Sequence, residues 1–441
     1  TPDLVLTGLN RIYANMQNFR RNLTLTFGLF LLVSGVFAQT ANTPFSFRGI
    51  GDFYGNGLAH NQGMAGVGVS NPQYFYLNNQ NPALLVFNRF TVFEGGFIGQ
   101  YNKIKGNGPT ESSGNGNLNY LMMGFPVKMG KWSTSFGLAP YSGVNYRTNY
   151  TDVIEGSANL VDVQETGKGG VNQVFWANGV ALNKNFSVGV RATYLFSSII
   201  NEYTNTLPAA ATPIVYSPTI YERTYIKDFN FSLGVSFHED SLFNKNYRFN
   251  IGAVYNFKSE LNTEYYTRIE RRNSSGSVVD STTLTNNQPG SITLPQSFTV
   301  GMSFGKGEKW MIGADYSYLK NSLFRDYFGN SQNATDSWRV ALGGEFTPDP
   351  MALSGYLKRM TYRTGVSFEQ YPYLINGKPV DDFGINFGLS MPVSRISSLD
   401  FAFKVGRRGT VQDHTIEENY FKLYFGVTIN DQFWFIKRRF D

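Results

Sequence analysis

From about residue 88 onward, most of the chain alternates apolar and polar residues with a period of two. This is the spacing that sends successive side chains to opposite faces of a β-strand. Phe186, Val188, Val190, Ala192, Tyr194 and Phe196 alternate with Ser187, Gly189, Arg191 and Thr193. Phe229, Phe231, Leu233, Val235 and Phe237 alternate with Asn230, Ser232, Gly234 and Ser236. Similar ladders recur at 249–257, 298–304, 310–318, 360–368, 383–391, 399–405 and 421–429. Alternation alone fits either a soluble sandwich with its apolar face inward or a membrane barrel with that face on lipid. Scale separates the two. With 38 Phe, 27 Tyr and only 16% charged residues in 441, a sandwich would need a very large core, whereas a barrel turns this face outward. The expected fold is all-β: a transmembrane antiparallel barrel of about 14 strands.

The connections test that expectation, because outer-membrane barrels have short turns on the periplasmic side and longer loops outside. From near Asn88 they read long at 102–116, short at 129–131, long at 147–170, short at 183–185 and long at 204–218. They continue medium at 239–246, long at 259–291, short at 305–309 and long at 321–335. The last four read medium at 348–358, modest at 372–381, short at 392–398 and modest at 408–418. This near-alternation gives an even strand number with both ends on the periplasmic side, as a single-chain bacterial barrel requires.

The N-terminus points to export. Met16 begins a stretch with Arg20 and Arg21, an apolar core from Leu23 to Phe37, and small residues at Val36-Phe37-Ala38. These features predict a signal peptide at 16–38, cleaved after Ala38, and an uncleaved anchor is the alternative. The apolar run falls short of the roughly 20 residues a spanning helix needs. Residues 1–15 precede Met16 without signal character and read as a start-site artefact. The net charge of +6 includes Asp3, Arg11, Arg20 and Arg21, so about +4 would remain after cleavage. Basic residues are scattered between aromatic ladders, which excludes a nucleic-acid footprint. With no Cys, the chain has no disulfide, thiolate metal site, Cys nucleophile or lipidated Cys.

Residues 39–87 differ from the rest. Gly49, Gly51, Gly55, Gly57, Gly63, Gly66 and Gly68 stand among Asn, Pro and aromatics with no sustained period. The segment is too rich in Phe, Tyr and Leu to stay solvated. A lumen of this width needs filling, so a plug, or hatch, inside the barrel at 88–441 is the expectation, and a periplasmic extension is the alternative.

Chemistry is not indicated. His60 falls in the expected plug, His238 in a turn and His414 in a loop beside Asp413, the last two expected to face water. No two His share metal-ligand spacing, and no Gly-x-Ser-x-Gly elbow or P-loop occurs. The reading is therefore no enzyme, no catalytic residue, no metal and no cofactor. Asp381-Asp382 and Glu417-Glu418 are adjacent pairs at strand entrances, whose members would alternate faces, and they read as solvated loop ends. Arg191, Asp315, Arg363 and Lys404 fall on the lumen side of their ladders.

Several short features, in order, resemble the long-chain fatty-acid transporter (FadL-type) family of outer-membrane barrels. Gly63-Met64-Ala65-Gly66-Val67-Gly68 followed by Asn81-Pro82-Ala83-Leu84-Leu85 resembles its N-terminal Gly-Ala stretch and Asn-Pro-Ala element. Gly137-Leu138-Ala139-Pro140-Tyr141-Ser142-Gly143 resembles its interrupted early strand. Leu294 to Gly301 with Trp310 to Tyr318, Arg363-Thr364-Gly365 and Leu389-Ser390-Met391-Pro392 are similar to its later strands. The C-terminal Trp434 to Asp441 departs from it by ending polar.

The resemblance implies a plugged barrel that takes up hydrophobic small molecules such as long-chain fatty acids and releases them through a lateral opening. It implies gating by Asn81, Pro82 and Ala83. The residues themselves allow either a plug turn at Asn81-Pro82-Ala83 or that gating role. At Gly137, Pro140 and Gly143 they allow either an ordinary bulge or a gap in the wall, since Pro140 cannot donate a ladder bond. Outer-membrane lipid and a hydrophobic ligand are the expected partners. Two alternatives remain: a FadL-like accessory subunit of a secretion or assembly complex, with a protein partner, and a general porin.

Overall fold

The computed structural model describes residues 43–106, 108–153, 160–206, 216–242, 246–394, 396–414 and 416–431. The expected signal peptide, residues 1–15 and Trp434 to Asp441 lie outside the described residues. Fourteen antiparallel strands close into one barrel. The first six are β1 (Thr91–Lys105), β2 (Glu111–Lys128), β3 (Trp132–Val153), β4 (Leu160–Ala181), β5 (Phe186–Thr206) and β6 (Tyr216–Leu242). β7 runs as Tyr247–Asn256 and Ser259–Asn273, and both parts pair with β6. β8 runs as Val278–Leu294 and Ser297–Lys306 and breaks at Pro295, which has no N–H for the ladder. The wall continues through β9 (Trp310–Leu319), β10 (Ser337–Phe346), β11 (Thr361–Ile375), β12 (Lys378–Pro392), β13 (Ser398–Arg408) and β14 (Glu417–Asp431). β14 then pairs with β1, from Glu417↔Lys105 to Asp431↔Thr91, and closes the ring.

Burial decides between sandwich and membrane barrel. Along β5 the apolar Val190 is 55% exposed, while the polar Ser187 and Arg191 on the other face are 1% and 5% exposed. A soluble strand would show the reverse. The same inversion holds at Phe229, Phe231, Val300, Met302, Phe387 and Val405, all exposed, so the outer face is a lipid-facing band. No helix among the described residues is long and apolar enough to cross a membrane. The barrel lies in the bacterial outer membrane.

The strand count agrees with the sequence, but most of the expected long loops are strand. The stretches 147–170 and 259–291 are largely ladder, paired from Val153↔Leu160 downward and from Val278↔Arg272 downward. The expected connection at 372–381 narrows to Asn376 and Gly377, both with positive φ. The reason is length. A membrane strand needs only about 9–11 residues, yet β4 has 22 and β6 has 27. Polar residues above the lipid band keep pairing as hairpins, and hydropathy cannot distinguish these from loops.

Residues 43–90 form no wall strand. They run through the helical turn α1 (Ala59–Gln62) and a 3-10 turn, Pro82–Phe87. The 3-10 turn packs on β4, β5 and β6, and α1 packs on β12, β13 and β14, so the segment touches well-separated parts of the ring. Leu58, Met64, Val67, Leu77, Leu84 and Leu85 are all fully buried.

Candidate functional site

Two shelves of glycine hold the N-terminal segment against the wall. Gly179 on β4, Gly189 on β5 and Gly234 on β6 stand side by side in register. On this shelf rests Asn81-Pro82-Ala83. A β-carbon on Gly189 would stand 2.6 Å from the Pro82 carbonyl oxygen, and one on Gly234 would stand 2.8 Å from Pro82 Cδ. Asn81 is fully buried, accepts a hydrogen bond from Ala83 N at 3.0 Å, and donates to the carbonyls of Val69 (2.9 Å) and Val235 (3.1 Å). It caps the turn, the role its side chain favours, and ties it to β6. The second shelf is formed by Gly343, Gly365 and Gly388 on β10 to β12, under Gly63 and Met64.

Buried polar groups lock the same segment in place. Asp315 accepts from Gly68 N (2.8 Å) and Val69 N (3.1 Å), and Glu94 accepts from Leu77 N (2.7 Å). Arg363 pairs with Glu345 at 3.0 Å and bonds Ser390, which in turn bonds Asp400, and Tyr76 donates to Asp400 at 3.0 Å. Arg191 donates to the backbone and side-chain oxygens of Asn79, both at 2.9 Å, and to Gln173 at 3.1 Å, and lies over the Phe175 ring. Arg408 pairs with Asp52 (3.0 Å), Asp382 (3.3 Å) and Glu418 (3.8 Å). The arginines and their carboxylates are tolerable in this low-dielectric interior because they are paired or hydrogen-bonded, whereas Glu94 and Asp315 each keep one oxygen without a hydrogen-bond partner among the described residues.

Two expectations about polar residues need correction. Asp382 and Glu418 are not solvated. They are 2% and 1% exposed because strand alternation turns them inward to Arg408, while Asp381 and Glu417 face out. His414 does not face water either. It is buried, with Nε2 2.8 Å from the Pro379 carbonyl oxygen. His238 is half-buried, its ring 4.6 Å from that of Phe87. His60 stacks on Tyr76 at 4.2 Å. Among the described residues no three His, Asp or Glu form a metal-binding group.

Between β2 and β3 the ladder runs only from Leu121↔Leu138 to Lys128↔Trp132. Beyond it, β3 turns away at a bulge between Pro140 and Ser142 and keeps β4 as its one partner among the described wall strands. Among the described residues no ladder joins Glu111–Tyr120 to β3. The N-terminal segment covers part of this interval, with Asp52↔Gly143 and Phe53↔Ser142 forming a short antiparallel bridge. Thr43 N donates to Asn145 O (2.9 Å) and Tyr54 N to Tyr141 O (3.1 Å). Gly51 makes the approach possible. Its φ is +93°, and a β-carbon there would meet Gly143 C and Val144 Cγ2 at 2.7 Å.

Behind this bridge lies a cavity of about 380 Å³. Ile50, Phe53, Tyr54, Phe324, Tyr373 and Tyr424 give it apolar walls, while Arg339, Lys404, Arg408 and Lys422 supply cations and Asp52, Asp315 and Glu369 supply opposing carboxylates. Its roof is the connection after β9, where Gly49 N donates to Gln332 Oε1 (2.8 Å), Arg48 bonds the Gln332 carbonyl, and Phe324 packs on Ile50 and Leu294.

The structure thus gathers Asn81, Pro82 and Ala83 on one shelf and places Gly137, Pro140 and Gly143 along the interrupted strand. Arg191, Asp315 and Arg363 face the interior, as alternation predicts. Sequence reasoning missed the shelves, Arg408 and Arg339. The signal for the shelves was present, since glycines occupy lumen-side positions in successive ladders, but it needs register to be read.

Fold and site define an outer-membrane β-barrel with its N-terminal segment seated against the inner wall. Solved structures agree on the fold. A Pseudomonas putida toluene transporter, TodX, superposes with a TM-score of 0.57 at 17% identity, covering 88% of this chain and 100% of its own. A Pseudomonas aeruginosa FadL homologue gives 0.56 at 12%, with 87% and 99% covered. The Ralstonia pickettii toluene transporter TbuX gives 0.53 at 14%, with 85% and 98% covered. Among curated proteins none matches the sequence. The chain belongs to the BamG family, which it matches over residues 20–441.

Proposed function

We propose that this barrel takes up hydrophobic small molecules, long-chain fatty acids among them, with residues 39–87 as a plug and the β2–β3 interval as a lateral exit. One observation carries the reading: Gly51 to Tyr54 both line the cavity and bridge to Ser142 and Gly143, so moving four residues joins the cavity to the interval in the wall. In this reading Asn81, Pro82 and Ala83 fix the plug, and Gly137, Pro140 and Gly143 shape the exit. The aromatic walls suit an acyl chain, and Lys422, which has no ion pair among the described residues while Arg339, Lys404 and Arg408 are paired with carboxylates, suits an anionic head, which favours a fatty acid over a plain hydrocarbon. The named relatives that are toluene transporters or a FadL homologue support a hydrophobic cargo in general.

The test is lipid mass spectrometry on the folded barrel purified in mild detergent, beside the same protein lacking residues 39–87. A defined lipophilic compound enriched in the first and lost from the second supports uptake. No enrichment in either removes the reading.

A second reading, subunit of a secretion or assembly complex, is favoured by the periplasmic connection between β10 and β11. It holds Met351 86% and Leu353 104% exposed, although neither belongs to the lipid-facing ladders.

A further inference from the structure

The short-turn end of the barrel has its own concavity, of about 700 Å³, distinct from the luminal cavity. One side is the N-terminal segment at Tyr74 and Phe75, and the other is the connection 347–360, bringing Met351 and Leu353. It opens inside the ring of turns, with Arg363 and Glu345 from the lumen in its lining, so membrane lipid does not cover it. A Met and a Leu side chain this exposed to water are unfavourable relative to burial. Among the described residues the other periplasmic connections are short and expose Met129, Leu182 and Val393 singly.

The surrounding charge is positive on balance. Arg248 and Arg359 line the concavity, and Lys306, Lys309 and Lys358 stand exposed on the adjoining turns. Arg248 pairs with Asp240 at 3.6 Å and Arg363 with Glu345 at 3.0 Å, so the charges without an ion pair among the described residues are Arg359, Lys306, Lys309 and Lys358 against Glu308 and Asp349. The mouth therefore offers apolar contact at its centre and net positive charge at its rim, the arrangement of an interface core and rim.

We infer that this mouth docks a periplasmic protein through a segment that presents apolar side chains flanked by carboxylates. Phospholipid phosphate would also meet the lysines, but it would not enter a concavity on the lumen side of the wall or cover Met351 and Leu353. The occupant would touch Tyr74 and Phe75 directly, so docking would bear on the same segment that fills the barrel. This inference rests on the complex-subunit reading for its partner and is independent of whether the barrel conducts.

The test uses the full chain folded in phosphatidylcholine nanodiscs and a fluorescein-labelled peptide of alternating Leu and Glu, with a Leu/Lys peptide as the counterpart. Anisotropy should report binding of the first peptide only. Met351→Ser/Leu353→Ser and Lys358→Glu/Arg359→Glu should each weaken it about tenfold, and added salt should weaken it further. These four side chains are exposed, and unchanged heat-modifiability on gels would certify each variant as folded. Equal binding of both peptides, or none lost in either variant, overturns the proposal. So does enrichment of phosphatidylglycerol around the wild type alone, in nanodiscs assembled from both lipids, with no peptide bound, which would make the rim a headgroup seat. If the peptide fails while a stoichiometric partner still co-purifies with the Leu353→Ser protein, the docking surface is refuted and the complex-subunit reading stands.

Discussion

Replacing Gly388 by Ala should loosen the N-terminal segment without harming the barrel. The added β-carbon would sit 2.6 Å from Gly63 Cα, whereas its wall neighbours, Arg363 Cβ and Phe401 O, lie at 3.2 and 3.5 Å. Ordinary van der Waals contact begins near 3.4 Å, so Gly63 must retreat by about 0.8 Å. The adjacent bond from Asn386 Nδ2 to Gln62 O, now 2.7 Å, would then stretch to the limit of a hydrogen bond. Overpacking costs about 1–3 kcal/mol and the weakened bond about 1 more. The sum, about 2–4 kcal/mol, raises the undocked population at least roughly 30-fold. The assay is single-channel recording in planar bilayers, where the wild type should be silent and Gly388→Ala should show transient openings. Gly99→Ala is the control, since nothing lies within 4 Å of its β-carbon. If both variants behave alike, or if Gly388→Ala loses heat-modifiability, steric seating on glycine is the wrong account.

Gly51→Val should displace the bridge to Ser142 and Gly143, through both positive φ and overlap with Gly143, and raise release of a fluorescent fatty acid into the surrounding lipid. Unchanged release in proteoliposomes would remove Gly51–Tyr54 as the barrier. Arg191→Gln gives up the bonds to Asn79 and Gln173, and should weaken seating by about 2 kcal/mol, read as faster tryptic cleavage at Arg48 and Arg89 with the barrel intact. Burial, with the positive charge of Arg363 adding to it, holds His60 well below the ordinary histidine range, so the seated segment keeps it neutral. An undocked, hydrated His60 binds a proton below about pH 6.5, so seating should weaken as pH falls through that value, by at most about 1.4 kcal/mol per pH unit, and should not change above it. His60→Gln should remove that part of the pH dependence of cleavage, and identical wild-type and variant profiles would show that His60 does not contribute.

Strand number and inside-out polarity were legible because each rests on local alternation: Val190 out and Arg191 in is a statement about neighbouring residues. Lumen-side charges such as Asp315 and Arg363 were legible for the same reason. The network around Arg408 was not, since Asp52, Asp382 and Glu418 meet it only through the register of β12, β13 and β14 and the path of the N-terminal segment. Hairpins above the lipid band escaped notice because polar strands such as Glu111 to Asn117 carry no hydropathy signature. The bulge at Pro140 was visible in sequence. Its effect was not, because whether β2 follows β3 past it depends on both strands.

The two glycine shelves also order the assembly of the molecule in time. One is made by β4 to β6 and the other by β10 to β12, so neither holds the segment firmly until strands far apart in the chain have joined the same ring. Contacts of such long sequence separation form late. The N-terminal segment is therefore the last to find its place although it is synthesised before the wall, and until then its apolar residues, Leu58, Leu77 and Leu84 among them, remain exposed to aggregation.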